Sequence, residues 1–159
     1  MIWYTVCMKK ILLVVGLIIV ALLVWFGFFY NKAAAPITGK PLPSATYVNA
    51  SADTIVVDLP FPGAVTGKSF TATGKAKGWY FEGSFPVKVL DQNGKVLAQV
   101  PAQAQGDWMT AEFVPFKADI QVPDLGSYMG PATIVFEKDN PSGLPQNDAS
   151  VSFPITIEY

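Results

Sequence analysis

The sequence predicts an all-β fold, an antiparallel sandwich of about seven short strands, preceded by one N-terminal transmembrane helix. Three observations support this prediction. A run of 20 residues near the N-terminus contains no charged side chain. From Ser51 to Tyr159, apolar and polar residues alternate with a period of two, which is the period of a strand. Glycine, proline, asparagine and aspartate interrupt that alternation, and no apolar stripe of helical period accompanies it.

The uncharged run, ILLVVGLIIVALLVWFGFFY, extends from Ile11 to Tyr30 and is long enough to cross a lipid bilayer as a helix. Lysines at positions 9 and 10 precede it. Because basic flanks stay in the cytoplasm, residues 1–10 are expected to be cytoplasmic and the C-terminal part extracytoplasmic, in a single-pass protein of the cell membrane.

A cleaved signal peptide is the alternative to a retained anchor. Ala33 and Ala35 fit a small-residue cleavage site. Pro36 would then become the first residue of the mature protein, and the apolar run exceeds the usual length of a signal-peptide core. These two features favour retention. Residues 31–50, which contain three prolines, are predicted to be a semi-rigid linker, and the sandwich is expected to occupy residues 51–159.

Composition excludes several classes of function. The chain has no histidine, and its one cysteine, Cys7, precedes the apolar run. Histidine-dependent nucleophiles and zinc, haem or copper sites with His or Cys ligands are therefore excluded. The part after Ala50 has seven lysines and twelve acidic residues, a net charge of −5, so no nucleic-acid partner is expected.

The alternating segments give the strands in order. The first two carry Ile55 to Leu59 and Phe70 to Ala76, and a longer strand is predicted from Trp79 to Val89. Asp91–Gly94 (DQNG) is a hairpin signal, and the chain should return antiparallel over positions 95–100. Further strands are predicted over 109–113, around 134–136 and over 151–159. The large apolar residues expected to form the core are Trp79, Phe81, Phe85, Trp108, Phe113, Phe136 and Phe153.

Seven such strands in about 110 residues are typical of an immunoglobulin-like sandwich. The segment GKAKGWYFEGSFPVKVLDQNGKVL, Gly74 to Leu97, resembles the immunoglobulin-like domain family of bacterial spore germination, which occurs alone or beside germination-protein-M domains. Further matches are PFPG at 60–63, GDWMTAEFVPF at 106–116 and KDNPSGLPQND at 138–148. The resemblance implies a bacterial, extracytoplasmic β-sandwich without assigned catalytic residues.

The segment KDNPSGLPQND allows two interpretations. The first is a calcium site, with oxygens from Asp139, Asn140 and Asp148 and from Asp107 of another loop. The second is an ordered turn between the last two strands. In that turn, asparagine bonds the backbone, proline fixes φ, and glycine adopts a positive φ. We favour the turn, whose residues are Asn140, Pro141, Gly143 and Pro145.

Other candidate sites are weaker. GAVTGKS at 63–69 has the wrong spacing and context for a phosphate loop, so no nucleotide is expected. Glu82 and Asp107 could form the carboxylate pair of a cell-wall hydrolase, but sequence cannot place them across a cleft. Trp79 and Phe81 have the strand parity of the core face, whereas Tyr80 and Glu82 have the opposite parity. Tyr80 and Glu82 are therefore the candidates for an interaction surface.

These observations predict a non-enzymatic, cofactor-free module that is anchored in the lipid bilayer through Ile11–Tyr30. Its expected role is binding or scaffolding in the cell envelope, with an envelope protein or a wall polymer as partner. The alternative is a calcium-dependent adhesion module, and a carboxylate-based hydrolase is a more distant one.

Overall fold

A computed structural model describes residues 43–123 and 128–159, together with three helical positions, Ile19, Leu22 and Trp25. The predicted cytoplasmic segment, most of the predicted transmembrane helix and most of the linker lie outside the described residues. Among the residues described, no helix is both long and apolar enough to span a bilayer. The chain divides after Lys40 into two units, and the second, Pro41–Tyr159, holds the strands.

The second unit is all-β. Its strands are β1 (Thr46–Val48), β2 (Ile55–Leu59), β3 (Val65–Thr66), β4 (Ser69–Ala76), β5 (Ser84–Asp91), β6 (Val96–Ala104), β7 (Val114–Gln121), β8 (Gly130–Glu137) and β9 (Ser150–Ile157). One 3₁₀ turn, Pro145–Asn147, lies between β8 and β9.

The strands form a curled sheet in the order β1-β9-β8-β5-β6-β7-β4-β2, and β3 pairs in parallel with β9 while the other pairs are antiparallel. The seven longer strands, read as A to G along the chain, therefore follow the order G-F-C-D-E-B-A. This order is consistent with an immunoglobulin-like domain. Strands A, B and E lie on one side of the β6–β7 pairing, and strands C, D, F and G lie on the other. Only two residue pairs join β6 to β7, so the two sides meet there at a thin seam.

Aromatic rings fill the space inside the curl. The Phe116 ring on β7 lies 5.1 Å from that of Phe85 on β5 and 5.7 Å from that of Phe136 on β8. Because β7 and β8 are separated by two strands in the sheet order, these contacts show that the two sides face each other. Phe85, Phe136 and Phe153 are buried, as is Trp79, which confirms those members of the predicted core.

Phe81 is not a core residue, because the predicted strand from Trp79 to Val89 is interrupted. Phe81 and Ser84 exchange backbone hydrogen bonds of 3.0 and 3.1 Å across a two-residue turn. In that turn Glu82 and Gly83 both have positive φ, 49° and 77°, as a type I′ hairpin requires. The turn ends the alternation and leaves the Phe81 side chain 43% exposed.

Trp108 and Phe113 also lie outside the core cluster, and both are half-buried. The strand predicted over 109–113 is a loop, and β7 begins only at Val114. Asp107 and Thr110 each accept a hydrogen bond from a backbone N–H two residues on. Such local bonds offer the backbone an alternative to the ladder, which explains why the apparent alternation forms no strand here.

The start of the domain also differs from the prediction. β1, within the predicted linker, pairs with β9, so the described fold begins before Ser51.

The predicted hairpin is confirmed: Asp91 donates its N–H to Lys95 O at 2.9 Å, and the Asp91 carboxylate accepts the N–H groups of Asn93 and Lys95.

Candidate recognition surface at the loop end

Three loops meet at one end of the domain, which we call the loop end. They are residues 77–83 between β4 and β5, 105–113 between β6 and β7, and 138–149 between β8 and β9. The Asp139 N–H donates to Trp79 O at 3.1 Å, which joins the first loop to the third. The Trp108 ring lies 3.4 Å from the position of a Cβ built on Gly83, so the second loop packs on the first. In variable immunoglobulin domains, the loops between these strand pairs include antigen-binding loops.

The first loop is fixed by Tyr80. Its hydroxyl donates to Val114 O at 2.6 Å, and its ring packs 5.3 Å from the Phe85 ring. Burial raises the pKa of Tyr80 to about 12. Tyr80 is therefore a packing residue rather than the surface contact predicted from its parity. Glu82, the other predicted surface residue, is exposed at the tip of the loop.

The second loop presents its side chains to solvent. Met109 is 77% exposed and follows Trp108, which is half-buried against Gly83. The Asp107 Oδ1 accepts the Met109 N–H at 3.1 Å, which shapes the turn. Lys75 and Lys77 of the neighbouring strand end place their ammonium groups 5.2 and 5.0 Å from the ring centroid of Phe113. Each arrangement is a cation–π contact.

The third loop is held by hydrogen bonds within itself. Gly143, with φ of 64°, donates its N–H to Asn140 O at 3.2 Å, closing a turn with Pro141 at its second position. The Asn140 amide donates to Leu144 O at 2.9 Å and to Asp148 Oδ1 at 2.6 Å, and its oxygen accepts from Ser142. Pro145 begins the 3₁₀ turn. These contacts support the turn interpretation of all four predicted turn residues.

The candidate calcium ligands are not gathered in one place. Asn140 and Asp148 bond each other, Asp139 donates its N–H to the first loop, and the Asp107 carboxylate is engaged in the second loop. Over 43–123 and 128–159, the structure contains no group of three or more acidic, histidine or cysteine side chains placed to hold a metal ion. The side-chain oxygens of Asp107, Asn140 and Asp148 instead accept hydrogen bonds from groups of their own loops.

Three shallow clefts surround the third loop. The largest, about 300 Å³, lies between it and the β5–β6 edge; its lining includes Asp139, Pro86 and Pro101. A second, of about 240 Å³, is lined by Glu137, Lys138 and Asp148 with β1. The third, of about 190 Å³, includes Asn49, Lys77, Trp79, Lys138, Gln146 and Asp148. Glu82 and Asp107, the predicted hydrolase pair, line none of these three clefts.

Lys77, Lys138 and Asn49 also line these clefts, although no sequence pattern predicted them as site residues. Both lysines lie within the motifs of the family resemblance, at 74–97 and 138–148, so their position was a usable signal. Asn49 lies in the predicted linker, and its amide donates to Asp148 O at 3.0 Å, across 99 positions of the chain. No local pattern reveals a contact of that separation.

Two open stretches of backbone, on the outer strand β2 and on the part of β6 that does not pair with β7, are poorly suited to accept an added strand. β2 has a bulge between Val57 and Leu59, which places Asp58 on the edge. On β6, Ala104 donates its N–H to Gly83 on the β5 side, so by alternation position 101 points to the open side. That residue is Pro101, which has no N–H to offer. These two stretches therefore offer a partner strand few backbone groups to pair with.

The family model for the immunoglobulin-like domain of bacterial spore germination matches residues 54–143. The chain belongs to this family. The matched region includes the whole of the first and second loops and the third loop as far as Gly143. The motifs that gave the family resemblance are therefore largely the loops that meet at the loop end.

No curated protein matches the chain. Among solved structures, the crystal structure of CopC from Methylosinus trichosporium OB3b is similar with a TM-score of 0.42 and 14% sequence identity. The similarity covers 66% of this chain and 92% of the CopC chain. Similarity at this level carries no argument about function for this member of the spore germination family.

Proposed function

We propose that this chain is a membrane-anchored, extracytoplasmic protein of the bacterial cell envelope, and that its immunoglobulin-like domain binds or scaffolds a partner through the loop end. The partner is an envelope protein or a wall polymer. One observation carries the proposal: three loops distant in sequence make direct contacts at one end of the domain, and the first and third of them line a cleft there.

The membrane anchor in this proposal is the uncharged run Ile11–Tyr30, with the preceding lysines on the cytoplasmic side. The course of the chain within the domain supports access to the loops. Pro43 lies beside Gly63, which donates its N–H to Pro154 O in the middle of β9, and β1 then runs toward the start of β9. The described chain therefore begins beside the middle of β9 rather than at the loop end.

Site-specific photocrosslinking in cells tests the binding role. A photoreactive phenylalanine analogue replaces Phe81, Met109 or Gln146, one from each loop, in the full-length chain. The matched control carries it at Asn93, which is exposed in the hairpin between β5 and β6 at the opposite end. Adducts from the loop positions and none from Asn93 are expected. Equal adducts from both ends, or none from any loop, would refute the proposal.

Fractionation tests the anchor. The protein is expected to stay in the membrane after a carbonate wash, and external protease is expected to digest the domain in intact spheroplasts. Mass spectrometry of the N-terminus decides the alternative. A mature chain that begins at Pro36 would show that the leader is a cleaved signal peptide.

A further inference from the structure

Two neighbouring turns of the loop end expose apolar side chains. Phe81 is 43% exposed in the first loop, and Met109 is 77% exposed in the second. Trp108 joins the two turns because its ring lies against Gly83. We call Phe81, Glu82, Asp107, Trp108 and Met109 the tip surface.

The composition of the tip surface is that of a protein interface rather than of ordinary surface. Single exposed apolar residues are common and need no explanation. Here an exposed phenylalanine, an exposed methionine and a half-buried tryptophan occur on two turns that touch. Aromatic residues and methionine are the types enriched at protein–protein interfaces, whereas polyanions are held mainly by cationic groups.

The charge of the tip surface selects the partner. Glu82 and Asp107 are exposed, and neither forms a salt bridge with any residue that the structure describes. Beyond the tip surface, the second loop also carries the exposed Glu112, and Lys75 and Lys77 lie over the ring of its neighbour Phe113. The tip surface itself contains no basic residue. Its two exposed carboxylates therefore favour a cationic partner.

We propose that the tip surface binds a basic segment of another envelope protein. Lysine or arginine side chains of that segment pair with Glu82 and Asp107, and its apolar side chains cover Phe81 and Met109. This inference rests on the proposed function of the loop end and narrows it to a protein partner and to one part of that surface.

The test uses the full-length chain with the photoreactive phenylalanine analogue at Met109, combined with charge reversal. Glu82→Lys places like charges together, which costs enough to reduce the adduct at least about tenfold. The matched control is Glu158→Lys, which reverses an exposed acid just after β9 at the opposite end. It is expected to leave the adduct unchanged. Thermal unfolding of both variants checks that the domain remains folded.

The captured segment provides the second readout. Mass spectrometry is expected to find the adduct on a peptide that contains lysine or arginine. Changing that basic residue to glutamate in the partner is expected to restore the adduct to Glu82→Lys. An adduct that persists in Glu82→Lys, or one formed with an acidic peptide or a glycan, would overturn the inference. Adducts from Gln146 without any from Met109 would overturn it too, while leaving the proposed function intact.

Discussion

Replacing Glu82 by asparagine is expected to stabilise the domain. Glu82 is exposed and has φ of 49° at the first central position of a type I′ turn. A side chain with a Cβ in the left-handed region costs about 1–2 kcal/mol. Asparagine tolerates that region better, and Asn-Gly is the preferred pair for this turn. Since Gly83 already follows, the substitution should raise the free energy of unfolding by about 0.5–1 kcal/mol.

Thermal unfolding of the full-length chain in detergent, followed by circular dichroism of the β-sheet signal, measures the effect. For a domain of this size the expected gain corresponds to an increase in Tm of about 2–6 °C. Glu158→Asn makes the same chemical change at an exposed position without a positive φ. Its Tm is expected to change by less than about 2 °C, because exposed substitutions away from special backbone positions have small effects.

A Tm of Glu82→Asn equal to or below that of the wild type would contradict this reasoning. Glu82→Lys separates the two possible causes of a gain. Lysine removes the negative charge but retains the backbone penalty, so its Tm should stay near the wild-type value. If lysine stabilised as much as asparagine, the gain would come from charge rather than from φ.

Four further predictions concern the rest of the domain. Gly74→Ala should lower the free energy of unfolding, measured by urea titration, by about 3 kcal/mol or more. The reason is that the added Cβ would lie 2.2 Å from Val56 O and 2.7 Å from the Phe116 ring. Gly106→Ala is the control: its Cβ would have its nearest neighbour 4.0 Å away, so the same titration should show almost no change. Burial raises the pKa of Tyr80 from 10.0 to about 12 in the folded state, so folding favours the protonated side chain. The resulting contribution to the free energy of unfolding is complete below pH 10 and is lost as the pH rises from 10 to 12. After allowance for partial exposure this loss is about 1 kcal/mol, and it should be absent in Tyr80→Phe when unfolding is measured across that range. Asn140→Ala removes hydrogen bonds to Leu144 O and Asp148 Oδ1. It should lower the free energy of unfolding by about 1 kcal/mol, measured by urea titration. Millimolar calcium should leave the wild-type Tm unchanged, and a calcium-dependent rise would restore the metal-site interpretation.

Long regular strands could be predicted from the sequence because successive side chains of a strand point to opposite faces of the sheet, so apolar and polar residues alternate. β9 shows this most clearly: Val151, Phe153 and Ile155 are buried, as their parity predicts. The hairpin at Asp91–Gly94 could also be predicted, since a carboxylate and a glycine with φ of 80° satisfy local requirements. Both features depend only on neighbours in the chain.

The errors came from features that local alternation does not distinguish. Phe81 has the parity of a core residue, but the two positive φ values that follow it reverse the chain. Met109 and Phe113 have the spacing of a strand, yet the side chains of Asp107 and Thr110 bind the backbone instead. Glycine at position 83 is the local signal of that turn. The second error comes from side chain–backbone hydrogen bonds between residues two positions apart, which the alternation of apolar and polar residues does not reveal.

The same features are the reason for assigning the proposed binding role to one end of the domain. A bulge on β2 and Pro101 on β6 make these two stretches of backbone poor acceptors of an added strand. A continuous series of aromatic ring contacts crosses the core from Trp79 to Phe153. The strands that carry the loops are therefore held together by packed side chains. Glu82 keeps an unfavourable backbone conformation and an exposed charge where asparagine would give a more stable turn. A residue that lowers stability at an exposed tip is a reason to propose a contact there. The proposal therefore expects Glu82→Asn to raise the Tm and Glu82→Lys to lower the crosslinking yield.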